Sequence, residues 1–170
     1  MRLPTLESNQ PDRPDKWYAD GLKFRCTCCG NCCTGPTGYV WVTDEEIRKL
    51  AEHLKLPEPE VRRRYVRTIG RRKSLVERRE PNGDYDCIFL TPLPGDDPNG
   101  KRKRGCGIYE VRPLQCRTWP FWDGLLESVD EWMEAGENCP GMNRGKHFDL
   151  EHIERMRTAE AWPEEPPSSK

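Results

Sequence analysis

Several common signatures are missing from this chain of 170 residues. No stretch approaches the roughly 18 apolar residues of a membrane-spanning helix. Residues 1–20 are polar and carry no apolar segment of the secretory type, so a cytoplasmic location is expected. There is no glycine-rich phosphate loop and no Ser/His/Asp arrangement, which leaves nucleotide-binding and triad-hydrolase readings without support. Histidine is scarce, at three residues. His53 falls off the apolar face of a helix, and His147 and His152 lie outside every cysteine block, so none is expected as a ligand. Hydrophobic residues make up 34% and charged residues 34%, against about 25% charged in an ordinary soluble domain. One domain can form, but its core is thin.

Net charge is close to balanced, at −1, yet the two signs are segregated. Residues 62–79 hold Arg62, Arg63, Arg64, Arg67, Arg71, Arg72, Lys73, Arg78 and Arg79, opposed only by Glu77. From residue 123 onward acids dominate. The basic stretch can neutralise phosphates, but a solvated face, partly paired with the acidic C-terminal third, is the favoured reading. Lys101-Arg102-Lys103-Arg104 reads as an exposed loop patch.

What the chain does have is thiol. Five of its nine cysteines fall within Cys26-Thr27-Cys28-Cys29-Gly30-Asn31-Cys32-Cys33, and Cys87, Cys106, Cys116 and Cys139 follow singly. In a reducing compartment such a pattern points to metal rather than to disulfides, and an odd count prevents complete pairing. Cys26-x2-Cys29-x2-Cys32 is the spacing by which ferredoxins bind a four-iron cluster, and their remote ligand precedes proline, as Cys139 precedes Pro140 here. The ferredoxin x3-Cys is absent. Zinc uses Cys-x2-Cys as well, closed by a second pair. In extended backbone Cys32 and Cys33 would face opposite ways and serve different centres, or different metals of one compact cluster. Eight thiolates suffice for two four-cysteine sites or for one polynuclear site. Arg25, Arg104, Arg112 and Arg117 flank cysteines and can offset their charge. Structural zinc is worth about 10–16 kcal/mol in finger peptides, while whole domains are stable by about 5–15 kcal/mol, so such a site would decide folding here.

The pattern along the chain predicts an α+β fold: a small, loop-rich single domain organised around its cysteine sites. The domain is expected over residues 17–160, between flexible tails at 1–16 and 161–170. Strands are expected at 22–25 and 39–42. Thr43 and Glu46 form a capping box for a helix whose apolar face is Ile47, Leu50, Ala51 and Leu54 and which stops before Pro57. A basic helix is expected at about 58–68, then strands at 73–80 and 85–90 joined by a turn at Pro81-Asn82-Gly83-Asp84. Residues 91–105 read as a loop, and 125–135 and 148–159 as helices. The cluster Trp119-Pro120-Phe121-Trp122 is expected to pack over the cysteines and exclude water.

With these blocks the chain resembles the YkgJ-like cysteine-cluster family, zinc- or iron-chelating domains of the CxxCxxCC type. The family pattern is matched by residues 24–33, by Cys87-Ile88-Phe89-Leu90, by residues 106–117 with Cys106, Ile108, Tyr109, Arg112, Pro113, Cys116 and Arg117 in place, and by Cys139-Pro140-Gly141. The resemblance implies Cys26, Cys29, Cys32, Cys33, Cys87, Cys106, Cys116 and Cys139 as ligands of an iron–sulfur cluster or zinc; the Cys26-x2-Cys29-x2-Cys32 spacing and Cys139-Pro140 slightly favour iron–sulfur. Cys28 occupies a variable position and is expected to be a spare thiol. Tyr109, Arg112 and Arg117 are expected around the cofactor as tuning groups. Metal handling, redox or support of a protein partner follow as roles. A metal-dependent enzyme of the methylase type is the alternative, and a nucleic-acid or partner-binding module with structural metal comes after it. No membrane partner is expected.

Overall fold

The computed structural model describes residues 16–96 and 102–159. The expected tails at 161–170 and, apart from Lys16, at 1–16 lie outside the described residues, as does Lys101 of the loop patch. The fold is α+β, with paired strands in two-stranded antiparallel sheets and short helices between them.

The chain enters through Trp17 and Tyr18 into β1 (Leu22–Phe24), which pairs with β8 (Lys146–Phe148) near the far end of the sequence. After the cysteine loop, residues 39–42 run extended beside a later strand. Trp41 bridges Ser74, the Val42 N–H donates to the Lys73 carbonyl, and the Leu75 N–H donates to the Val40 carbonyl. This is a single bridge rather than the full strand expected.

Helix α1 (Asp44–Leu54) forms as its pattern requires. The Thr43 hydroxyl accepts from the Glu46 N–H at 3.2 Å and Glu46 Oε2 accepts from the Thr43 N–H at 2.9 Å. Ile47, Leu50 and Ala51 are buried, and Lys55 in left-handed conformation ends the helix before Pro57. Helix α2 (Glu58–Tyr65) is shorter than expected. At Val66 the chain becomes β2 (Val66–Ile69), which turns through Gly70 (φ 58) into β3 (Arg72–Leu75). The β-branched Val66, Thr68 and Ile69 suit a half-buried strand better than a helix.

The strand expected over 73–80 is two strands, broken at Val76. Strand β3 pairs with β2, and β4 (Glu77–Arg79) pairs with β5 (Tyr85–Cys87) across the expected turn, with Gly83 at φ 95. The partner strand stops at Cys87. Residues 90–96 and 102–106 correct the loop reading: β6 (Leu90–Asp96) and β7 (Arg102–Cys106) pair antiparallel. The prolines of β6 hide the strand pattern, and register slips between Pro92 and Asp96.

Helix α3 (Leu114–Thr118) carries Cys116. The helix expected at 125–135 is α4 (Asp123–Leu126) followed by α5 (Val129–Asn138), because the Ser128 hydroxyl accepts from the Glu131 N–H and starts a new helix. Helix α6 (Leu150–Arg157) begins at its Asp149 cap, and β8 takes the first residue of the expected span.

Two apolar clusters result. Val42, Ile47, Leu50, Val61, Leu75, Phe89 and Ile108 form one, and Tyr18, Phe121, Leu126, Trp132, Met142 and Ile153 form the other. Cys87 and Cys106 pack on the first, whereas Cys139 belongs to the second.

Candidate metal centre

All nine cysteines line one cavity of about 60 Å³ at the seam between the two clusters. They arrive from five stretches of chain: the 26–33 loop, the end of β5, the end of β7, helix α3 and the C-cap of α5. Val40, Leu75 and Ile108 of the first cluster face them from one side. Phe24 and Trp119, which pack on the second, also line the cavity.

Short-range devices bring these stretches together. In the loop, Cys28 (φ 54) and Gly30 (φ 76) take left-handed backbone, and Asn31–Cys33 is a 3-10 turn. A Cβ on Gly30 would stand 2.9 Å from Leu90 Cδ1 and 3.1 Å from the Arg104 carbonyl oxygen, so only glycine lets the loop lie against the β6–β7 pair. A Cβ on Gly141 would stand 2.0 Å from the Arg25 carbonyl oxygen, and the Arg25 N–H donates to the Gly141 carbonyl at 3.0 Å. The Cys139-Pro140-Gly141 block is thereby bolted to the strand that opens the cysteine loop. Asn31 Nδ2 adds a 2.8 Å bond to the Asn138 carbonyl.

Helix α3 is aimed by residues from elsewhere. Glu46 Oε1 accepts from the Leu114 N–H at 2.6 Å, so the carboxylate that completes the α1 capping box also receives a free N–H of α3. Gln115 Oε1 accepts from the Trp41 N–H and its Nε2 donates to the Tyr39 carbonyl. No local pattern signals these roles, because each partner is distant in the chain.

The 3-10 turn corrects the extended-backbone premise for Cys32 and Cys33. Both sulfurs line the same cavity, 3.8 Å apart, and share a hydrogen bond. That bond makes Cys32 the easier thiol to ionise and pushes Cys33 up. Burial raises the Cys87 thiol to about 11 and raises Cys106 and Cys116 as well. Crowded, half-buried thiols resist bare ionisation, and a bound cation reverses that preference. The donor set fits a soft or borderline metal held as a thiolate complex. Among the described residues no three Cys, His, Asp or Glu side chains already form a closed shell; the sulfurs are spread around the cavity wall.

Cys28 lies exposed among the lining residues rather than away from the site. Tyr109 and Arg112 also line the cavity, with the Arg112 guanidinium 3.7 Å from the Tyr109 ring centroid and its Nε donating to the Tyr109 carbonyl. Hydrogen bonding to Cys26 raises the Tyr109 hydroxyl. Arg117 turns to Glu46 at 3.9 Å and is not among the lining residues. His53 is exposed. Of the aromatic cluster, Trp119 lines the cavity, while Phe121 stacks on Trp132 inside the second core.

A second cleft, of about 170 Å³, shares Cys32, Cys33 and Cys87 with the cavity and is walled by Tyr39, Tyr85 and Trp122. Five of the nine basic residues of the stretch are paired with nearby acids. Arg62 and Lys73 meet Asp44, Arg64 meets Glu60, Arg67 meets Glu77, and Arg78 meets Glu80. These partners lie in the first half of the chain, not in the acidic C-terminal third. No helix among the described residues is long and apolar enough to cross a membrane.

A family model described as "CxxCxxCC: Putative zinc- or iron-chelating domain" matches residues 25–140. The chain is also similar to the "Uncharacterized protein MJ0661" of Methanocaldococcus jannaschii, at 38% identity over 104 residues, covering 61% of this chain and 48% of that protein. It therefore spans about half the length of that curated relative. No solved structure matches.

Proposed function

Since the chain belongs to the CxxCxxCC family of zinc- or iron-chelating domains, we propose that it holds an iron–sulfur cluster or zinc through Cys26, Cys29, Cys32, Cys33, Cys87, Cys106, Cys116 and Cys139, with residues 17–160 as the binding domain. The observation that carries this reading is the convergence of cysteines from five chain segments on one cavity. A single cavity favours one compact polynuclear site over two separated four-cysteine sites. The triple Cys-x2-Cys spacing and Cys139-Pro140 tilt the choice toward iron–sulfur. Bound there, the metal would supply a cross-link between the two apolar clusters and, as iron, an electron-transfer centre. Tyr109 and Arg112 would stand at the cavity wall, with Arg112 offsetting thiolate charge. Reduced thiols are a condition of the site, which is why the reading places the protein in the cytoplasm, in metal handling, redox or support of a partner.

The second cleft favours a second reading. An aromatic-walled space bordering three candidate ligands is where an exogenous molecule would reach an exchangeable coordination position, as a metal-dependent enzyme requires. The paired state of the basic stretch gives the nucleic-acid reading little support.

The test is elemental analysis with an absorption spectrum on anaerobically purified protein. Iron with acid-labile sulfide and a broad visible band identifies a cluster. Stoichiometric zinc in a colourless sample identifies zinc. Protein that is folded, reduced and free of both, and that takes up neither on reconstitution, overturns the reading.

A further inference from the structure

We infer that Asp86 is a positioning residue for the cysteine cavity: its one carboxylate ties together three of the chain segments that deliver sulfur. The inference rests on the metal-binding reading of that cavity. Asp86 is 2% exposed, and with Ser74 and Thr118 it is one of the buried polar residues among those described. Its Oδ1 accepts from the Thr34 hydroxyl at 2.5 Å, and its Oδ2 accepts from Arg104 Nη1 at 2.8 Å, with Arg78 Nη2 at 3.6 Å. Thr34 follows Cys33 directly, Asp86 itself precedes Cys87, and Arg104 stands two residues before Cys106.

A buried carboxylate is costly unless it is paired and hydrogen-bonded. Here both oxygens are engaged, and the partners come from three separate elements. An apolar side chain could fill the space, but it could not hold a hydroxyl and a guanidinium at set distances. The guanidinium end is constrained a second time. The backbone of Arg104 forms part of the surface on which Gly30 lies, so the β7 strand touches the cysteine loop through its main chain and reaches Asp86 through its side chain. Asp86 thus locates Cys33, Cys87 and Cys106 relative to one another and keeps the Arg104 charge beside them. Groups that orient metal ligands in this way typically cost 10–100-fold in affinity when removed.

The experiment compares wild-type protein with Asp86→Asn, Asp86→Glu, Thr34→Val and Arg104→Gln. Asp44→Asn serves as control, since Asp44 also bridges two cations, Arg62 and Lys73, but away from the cavity. Zinc affinity is measured by chelator competition. Separately, the alkylation rate of each thiol is measured by mass spectrometry in the protein as purified, under native conditions. Expected are 10–100-fold weaker zinc binding in Asp86→Asn, partial recovery in Asp86→Glu, and wild-type affinity in Asp44→Asn. In that protein, Thr34→Val should speed alkylation of Cys33, and Arg104→Gln that of Cys106, with Cys139 unchanged in both. Equal rates at every thiol in both single-contact variants would overturn the inference, even if Asp86→Asn fails to fold. So would unchanged zinc affinity in a folded Asp86→Asn. If wild-type protein binds no metal, the functional reading fails, while the alkylation pattern still decides whether Asp86 positions the thiols.

Discussion

The Cys32 and Cys33 sulfurs stand 3.8 Å apart. A tetrahedral centre with metal–sulfur bonds near 2.3 Å has sulfur–sulfur edges of about 3.8 Å. Two adjacent residues thus already span one edge of a coordination tetrahedron, and they do so because the backbone there is a 3-10 turn rather than a strand. On the proposed reading the pair would sit on one metal, or on neighbouring metals of one cluster.

Replacing Cys29 or Cys32 by Ser should lower metal content and thermal stability together, since the metal and the fold are linked. Cys28→Ser should change both far less. Metal per chain and melting temperature, measured on the same preparations, check this. Cys28→Ser losing the metal while Cys29→Ser keeps it would reverse the ligand assignment.

Gly141→Ala places a methyl carbon 2.0 Å from the Arg25 carbonyl oxygen. The backbone must move, at a cost of about 1–3 kcal/mol or more. Because Gly141 fastens the Cys139 block to the cysteine loop, metal affinity should fall with stability. Gly38→Ala meets no neighbouring atom and should be close to neutral by chemical denaturation.

Glu46→Ala removes an acceptor from two helix starts at once. A loss of about 1–2 kcal/mol is expected, the upper range for one cap. Glu46→Gln keeps one acceptor oxygen and turns an amide NH2 toward the other N–H, so it should recover only part of the loss. Faster alkylation of Cys116 in the alanine variant would show that α3 has loosened.

Glu154 tests an electrostatic feature away from the cysteines. Its carboxyl is held down to about 2, chiefly by hydrogen bonding to Arg157, with Lys16 and Tyr18 adding to this against some desolvation. A depressed acid stabilises the fold above its unfolded value, near 4.5, and that contribution is lost as pH falls through about 2. Carboxylate NMR should find Glu154 titrating below the other glutamates. The stability difference between wild type and Glu154→Gln should be constant above about pH 5 and shrink toward pH 2. Screened by solvent, it should be on the order of 1 kcal/mol or less.

Legibility in the sequence followed the range of the signal. The Thr43–Glu46 capping box and the turn at residues 81–84 are relations between residues a few positions apart, and the fold contains both. Signals that compete locally were misjudged. Residues 66–68 looked like the end of a helix until Gly70 paired them with β3, and the prolines at 92 and 94 masked strand β6. Asp86, Glu46 and Gln115 left no trace as organisers, because each acts on a residue tens of positions away.

The chemistry is written in the residues themselves: thiols in this number and spacing suit a soft or borderline metal, and glycines at 30 and 141 leave room for the close approaches. That nine sulfurs from five segments meet in one cavity between two small cores is a product of packing. The reason is physical. Ligand type is a property of single side chains, whereas convergence depends on long-range packing and on buried hydrogen bonds whose partners no local pattern specifies.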